Sequence, residues 1–179
     1  MGGLGKRSDF KRIKKDAYQT IDRRAVPPLI PHLHGIRSYA EPCAGEGKLI
    51  EMMDEFAPHI QCGFANDIDW FDGEDAIESV ALAAARDRYD AIIVNPPWTR
   101  KLLHPMITSF MSLAPTYLLF DAGWAFTKQA APFLPYCTKI ITIGRLKWIP
   151  DTTMSSKDDC AWFVFNKDHD GGPRFYGKT

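Results

Sequence analysis

The sequence predicts a single α/β domain of the doubly wound, Rossmann-like kind: a mostly parallel sheet, shortened around its third strand and finished by an antiparallel hairpin. Three observations point there. Residues 91–94 (Ala-Ile-Ile-Val) form a short apolar, β-branched run, the pattern of a strand buried on both faces, and the run stops at Asn95-Pro96-Pro97-Trp98. Residues 36–56 read as strand, glycine turn and helix, the opening unit of a parallel sheet. The last two β-rich runs, 139–144 and 161–165, have no helical segment between them and so should pair antiparallel.

The bulk composition narrows the function classes. At 179 residues the chain is most simply one domain with a sizeable core. Lys+Arg and Asp+Glu both number 22, so contact with a polyanion must come from local patches. Cys43, Cys62, Cys137 and Cys160 form no CxxC pair, which argues against zinc and against a disulfide framework. His32, His34, His59, His104 and His169 show no ligand or triad spacing, and no metal is expected. No apolar stretch is long enough to span a membrane and the polar N-terminus does not read as a signal peptide, so a cytoplasmic protein is expected.

Taken in order, residues 1–15 form a Gly-rich, then basic arm (Lys6, Arg7, Lys11, Arg12, Lys14, Lys15), read equally as a solvated terminus or as a contact for phosphates; residues 16–179 form the domain. Asp22 is an expected N-cap, and Pro27, Pro28 and Pro31 must break any helix after it. Residues 36–41 are the first strand. Residues 42–47 (Pro-Cys-Ala-Gly-Glu-Gly) are a tight turn, and 48–56 are a helix with Leu49, Ile50, Met53 and Phe56 at helical spacing. Such a turn lets a ligand approach the backbone and lets the helix N-terminus face a carboxylate. Residues 59–65 are the second strand. Asp67 follows about 20 residues after the glycine turn, the place of a residue that accepts hydrogen bonds from a ribose. Ile68 and Trp70 are candidates to pack on an adenine ring, Trp70 reading equally as core edge. Glu74 to Arg88 is one helix with Ile77, Val80, Ala81 and Ala84 on its apolar face; Asp75 is a candidate contact for an adenine amino group, or simply an acidic first turn.

Two consecutive prolines after residues 91–94 cannot donate to a ladder, so the strand must end there and hold Asn95 and Trp98 at its carboxyl end, where open α/β sheets bind ligands. Asn95 offers an amide oxygen, Pro96 and Pro97 offer carbonyls without N–H groups, and Trp98 offers a flat face for a planar ring. Arg100 and Lys101 add positive charge beside them. Residues 102–113 read as a helix with Pro105 in its first turn, 117–120 as a strand, and 125–134 as a further helix before the hairpin. Trp148, in the polar linker 147–159, is placed to shape an acceptor pocket.

Asn95-Pro-Pro-Trp resembles motif IV of the S-adenosylmethionine-dependent amino-methyltransferases, best known from the adenine-specific DNA enzymes. The string from Ala40 to Gly47 resembles their motif I, and Tyr18-x-Thr20 more distantly their motif X, with Ile21 where a proline is usual. The resemblance covers residues 16–166 and is closest to small, phage-type enzymes with the class I fold. It implies that Tyr18, Thr20, Glu41, Pro42, Cys43, Ala44, Gly45, Gly47, Asp67, Ile68, Asp75 and Asn95 hold S-adenosylmethionine. It implies that Asn95, Pro96, Pro97 and Trp98 are catalytic, and that Trp98, Arg100 and Lys101 bind the acceptor. The expected reaction is methylation of the exocyclic amino group of a flipped adenine in DNA. The same chemistry on an RNA base or a protein glutamine, or a non-catalytic cofactor-binding scaffold, are the alternatives. No separate target-recognition domain is visible.

Overall fold

The computed structural model describes residues 18–67, 75–86, 89–151 and 155–178. The basic arm and Ile68, Asp69, Trp70, Glu74 and Arg88 therefore lie outside the described residues. Among those described, seven strands form one sheet: β1 (Ser38–Glu41), β2 (Gln61–Ala65), β3 (Ala91–Val94), β4 (Thr116–Asp121), β5 (Cys137–Arg145), β6 (Asp159–Phe165) and β7 (Arg174–Tyr176). Three α-helices accompany them: α1 (Lys48–Phe56), α2 (Ala76–Arg86) and α3 (Arg100–Leu113). The strand order is β2-β1-β3-β4-β6-β5-β7. The first four strands in that order run parallel, and β6 is antiparallel to both β4 and β5. This is the expected Rossmann-like α/β domain with its antiparallel hairpin. Among the described residues no strand separates β2 from β3 in sequence, so α2 alone makes the crossover and β2 lies at one edge of the sheet.

The period of two in β3 divides the core. Ala91 and Ile93 face one side with Tyr39, Leu119 and Trp162, against Met52 and Met53 of α1 and Val26, Leu29 and Leu33 of the N-terminal segment. Ile92 and Val94 face the other with Leu118, Phe120 and Phe163, against Val80 of α2 and Leu103, Ile107 and Phe110 of α3. All four β3 residues are buried, as a run without polar alternation requires. Trp162 is sealed inside, its indole N–H donating to the Ala25 carbonyl at 2.8 Å, which seats the N-terminal segment on the sheet.

Several expectations are corrected. Residues 125–134 form no α-helix. A 3₁₀ turn at Ala122–Phe126 leads into i→i−3 turns such as Ala130 N–H to Thr127 O, and Leu134–Tyr136 is again 3₁₀. Pro132 and Pro135 remove the amides an α-helix would need, and Trp124, buried among Phe120, Phe133, Phe163 and Phe165, sets the path instead. Helix α3 starts two residues early, at Arg100, so Pro105 falls in its second turn. That position is tolerated because Pro105 and Lys101, whose carbonyl it leaves unpaired, are both exposed. The sequence reading missed β7 altogether; three residues define it only by pairing with β5. Asp22 caps the short turn Arg23–Ala25 as expected, and the prolines after it allow only one further 3₁₀ turn, Ile30–His32.

Candidate functional site

Because β1, β2, β3 and β4 are parallel and adjacent, their carboxyl ends lie along one edge of the sheet, and the site is assembled there. After Glu41 the chain turns through residues 42–47 into α1. Gly45 and Gly47 adopt positive φ (52° and 77°), a conformation L side chains rarely adopt, and Gly47 is the N-cap with no capping side chain. The turn is stitched to the end of β2. The Ala44 N–H donates to Asn66 O at 2.8 Å, the Asn66 N–H to Glu41 O at 3.0 Å, and the Gly45 N–H to the Asp67 carboxylate at 2.9 Å. Asp67 thus reaches back to the glycine turn. Asn66 is buried and its amide donates to the Ser79 hydroxyl, which ties this corner to α2.

Glu41 is only 1% exposed, and its Oε2 is buried with no hydrogen-bond partner. Burial, and then the Asp67 carboxylate, push its pKa up to about 8. The Cys43 thiol is likewise pushed upward, by burial first and then by Glu41, Asp67 and Asp75. A buried carboxyl with a free acceptor oxygen suits a positively charged or hydrogen-bond-donating ligand group.

One strand over, Asn95 and Trp98 form a directed pair. The Asn95 Nδ2 donates to the Tyr18 carbonyl at 2.9 Å, and its Oδ1 accepts from the Trp98 indole N–H at 3.3 Å. Carbonyl on one side and N–H on the other leave a single orientation of the amide that satisfies both. Pro96 is buried, while Asn95, Pro97 and Trp98 are half-buried. Trp148 stands edge-on to Trp98, ring centroids 5.3 Å apart at 88°, and its own indole N–H is buried without a partner. The β5–β6 linker therefore does bring Trp148 to the site.

The segment 18–22, here the strap, joins these parts. Tyr18 contributes its backbone carbonyl to Asn95, and Thr20 is buried. Between them Gln19, which the sequence reading passed over, lays its carboxamide on the glycine turn, its Oε1 accepting from the Glu46 N–H at 3.1 Å. Its only signal in the sequence was position, between two residues already singled out. Asp22 then fastens the strap to the β5–β6 linker, accepting from the Lys147 N–H at 2.9 Å and from Arg24. Burial alone would raise the Asp22 pKa, but the Arg24 guanidinium and the Lys147 and Arg24 N–H groups override it and hold it at about 2.

The structure thus brings Tyr18, Thr20, residues 41–47, Asp67 and 95–98 to one edge. Three others are exposed at the starts of helices. Asp75 caps α2, accepting from the Ile77 N–H at 2.8 Å, and also acts electrostatically on the Cys43 thiol of the turn. Arg100 and Lys101 are exposed in the first turn of α3, and Arg100 acts electrostatically on Asp121 at the end of β4. Among the described residues no cluster of His, Cys, Asp and Glu could hold a metal ion, and His104 instead accepts from the Trp124 indole at 3.1 Å. No described helix is long and apolar enough to cross a membrane. All four cysteines are unpaired as thiols.

No family model and no curated protein sequence matches the chain. Among solved structures it is similar to a release factor-specific protein-(glutamine-N5) methyltransferase from Alicyclobacillus acidocaldarius subsp. acidocaldarius DSM 446, at 16% identity and a TM-score of 0.45, over 78% of this chain and 90% of that one. It is also similar to a dimethyladenosine transferase from Plasmodium falciparum, at 12% identity and a TM-score of 0.45, over 79% of this chain and 62% of that one.

Proposed function

We propose that the chain is an S-adenosylmethionine-dependent N-methyltransferase whose acceptor is the exocyclic amino group of adenine in DNA. The observation that carries this reading is the Asn95 carboxamide, pinned through its nitrogen so that its oxygen is turned toward Trp98, beside two prolines and one strand from the glycine turn.

The residues fit the cofactor. The Glu41 carboxyl, with one buried unpartnered oxygen, suits an ammonium group; Asp67 suits ribose hydroxyls; the uncapped N-terminus of α1 suits a carboxylate. When bound, the sulfonium supplies an electrophilic methyl group. The protein's part is positioning and electrostatics. The acceptor amino nitrogen is a weak nucleophile because its lone pair is delocalised into the ring. Hydrogen bonds from that NH2 to Asn95 Oδ1 and the Pro96 carbonyl favour a tetrahedral nitrogen and localise the pair toward the methyl. That pair would form the N–C bond while the bond between the methyl carbon and sulfur breaks with its electrons passing to sulfur, leaving a neutral thioether, and one N–H proton would then leave to solvent. Neutral acceptors suffice, so no general base is required at the start of the reaction. Trp98 provides the stacking face, worth on the order of 1–3 kcal/mol for a base. A duplex base reaches such an edge only by flipping out of the helix.

The test is transfer of labelled methyl from S-adenosylmethionine onto unmethylated DNA, RNA and protein, followed by nucleoside and amino-acid analysis. Methylated adenine in DNA is expected from the wild type, and at least about a hundredfold less from Asn95→Ala, as for loss of one positioned group at a reacting centre. Label confined to RNA or to glutamine would keep the chemistry and change the acceptor. Cofactor binding with no transfer would favour the scaffold reading.

A further inference from the structure

We infer that Gln19 is a positioning residue for methyl transfer: it latches the strap onto the glycine turn and thereby holds the Asn95 amide oxygen toward the acceptor. The inference rests on the role given to Asn95 above and names the residue that enforces it. Four contacts carry it. The Gln19 carboxamide lies so close over Gly45 that a Cβ at that position would overlap it, coming within 2.6 Å of its Oε1 and 2.7 Å of its Cδ. Its Oε1 takes the Glu46 N–H at 3.1 Å. The carbonyl of Tyr18, held in the same rigid peptide plane as the Gln19 nitrogen, takes the Asn95 Nδ2 at 2.9 Å. The Asn95 Oδ1 faces the Trp98 indole N–H at 3.3 Å.

The glycine at position 45 therefore has a second reason besides its backbone conformation. It leaves room for the Gln19 amide, which a Cβ there would displace from the turn. Behind it the strap is closed by the Ile21 N–H on Gln19 O at 3.0 Å and fastened by Asp22 to Lys147. The consequence for chemistry follows from the near-equivalence in shape of an amide and its flipped form. Flipped, Asn95 would set its NH2 against both the Trp98 N–H and the acceptor's NH2, donor against donor. The Tyr18 carbonyl opposes that flip only while the strap stays down. Without the latch a fraction of molecules would present nitrogen in place of oxygen, with Trp98 still available for stacking.

The inference is tested on the full chain in two ways. In steady-state transfer, Gln19→Ala is expected to lower kcat about three- to tenfold, the worth of one net hydrogen bond, with KM for the nucleic acid changed less than twofold. Gln19→Glu keeps an oxygen for the Glu46 N–H and should restore most of kcat. In thermal unfolding, which needs no substrate, Gly45→Ala, Gln19→Ala and the double variant form a cycle. The double variant should be more stable than the sum of the single losses by about 2–4 °C, because each single variant already loses the Gln19–Glu46 hydrogen bond and the pair loses it only once, while the strain of positive φ remains. Additive losses, an unchanged kcat in Gln19→Ala, or an effect confined to KM would each overturn the inference. Absence of transfer by the wild type would overturn the reading of Asn95 and the positioning role with it, whereas the unfolding cycle separately reports whether the latch exists.

Discussion

Glu41 carries its free acceptor oxygen at a cost that pH exposes. In the unfolded chain its carboxyl ionises near 4.5, whereas in the fold it ionises at about 8, raised first by burial and then by Asp67. The neutral form is favoured in the folded state, so the stability tied to it is complete below pH 4.5 and lost as pH rises toward 8. Urea unfolding should therefore show the wild type losing stability, on the order of a few kcal/mol, between pH 5 and pH 8. Glu41→Gln should flatten that dependence and be the more stable protein at pH 8; an equal slope in both would remove Glu41 as its source. That Glu41, Asp67, Asn95 and Trp98 stand at or just past the ends of strands was legible in the sequence, since each closes or follows an apolar run that ends abruptly. Their partners were not: the Asp67–Gly45 bond spans 22 residues and the Asn95–Tyr18 bond 77.

The strap shows how short elements acquire function by what they touch. The sequence made Asp22 an N-cap, and it is one, but the same carboxylate also takes the Lys147 N–H and so holds the Trp148-bearing linker. With its pKa lowered from 3.8 to about 2, Asp22 contributes stability that is present above pH 4 and lost as pH falls toward 2. Asp22→Asn should cost about 1–2 kcal/mol at pH 7, with the difference fading as pH falls through about 2, measured by urea unfolding, after allowance for solvent screening of the exposed Arg24 partner. A constant difference across that window would assign the effect to packing. Regular elements were read well where period and punctuation agree: β3 spans Ala91–Val94 and α1 spans Lys48–Phe56, as the patterns of 91–94 and 48–56 indicated. They were misread at 125–134, where Pro132 interrupts the expected helix.

At the scale of the whole molecule, the balance of 22 basic and 22 acidic residues leaves no general field to draw in a polyanion. Attraction to DNA under the proposed function then rests on local charges beside the site, of which Arg100 and Lys101 are exposed at the start of α3. If each contacts a phosphate, the Arg100→Ala, Lys101→Ala double variant should bind DNA more weakly at low salt. It should also reduce the slope of log affinity against log salt by about 2. An unchanged slope would place the phosphate contacts elsewhere on the chain. The strand order does the remaining work, since β1 lies between β2 and β3 and so sets the glycine turn between Asp67 and Asn95.

The sequence by itself determined the local pieces: a strand that two prolines must end, a turn that needs glycine, a helix with one apolar face, a hairpin without a crossover. Each follows from backbone sterics and side-chain period within a few residues. Only the tertiary structure decided which way the Asn95 amide points, that Gln19 lies against Gly45, that Glu41 keeps an unpartnered oxygen and that Trp148 meets Trp98 edge-on. Those are properties of groups far apart in the chain, and hydrogen-bond direction and desolvation exist only once packing has brought them together.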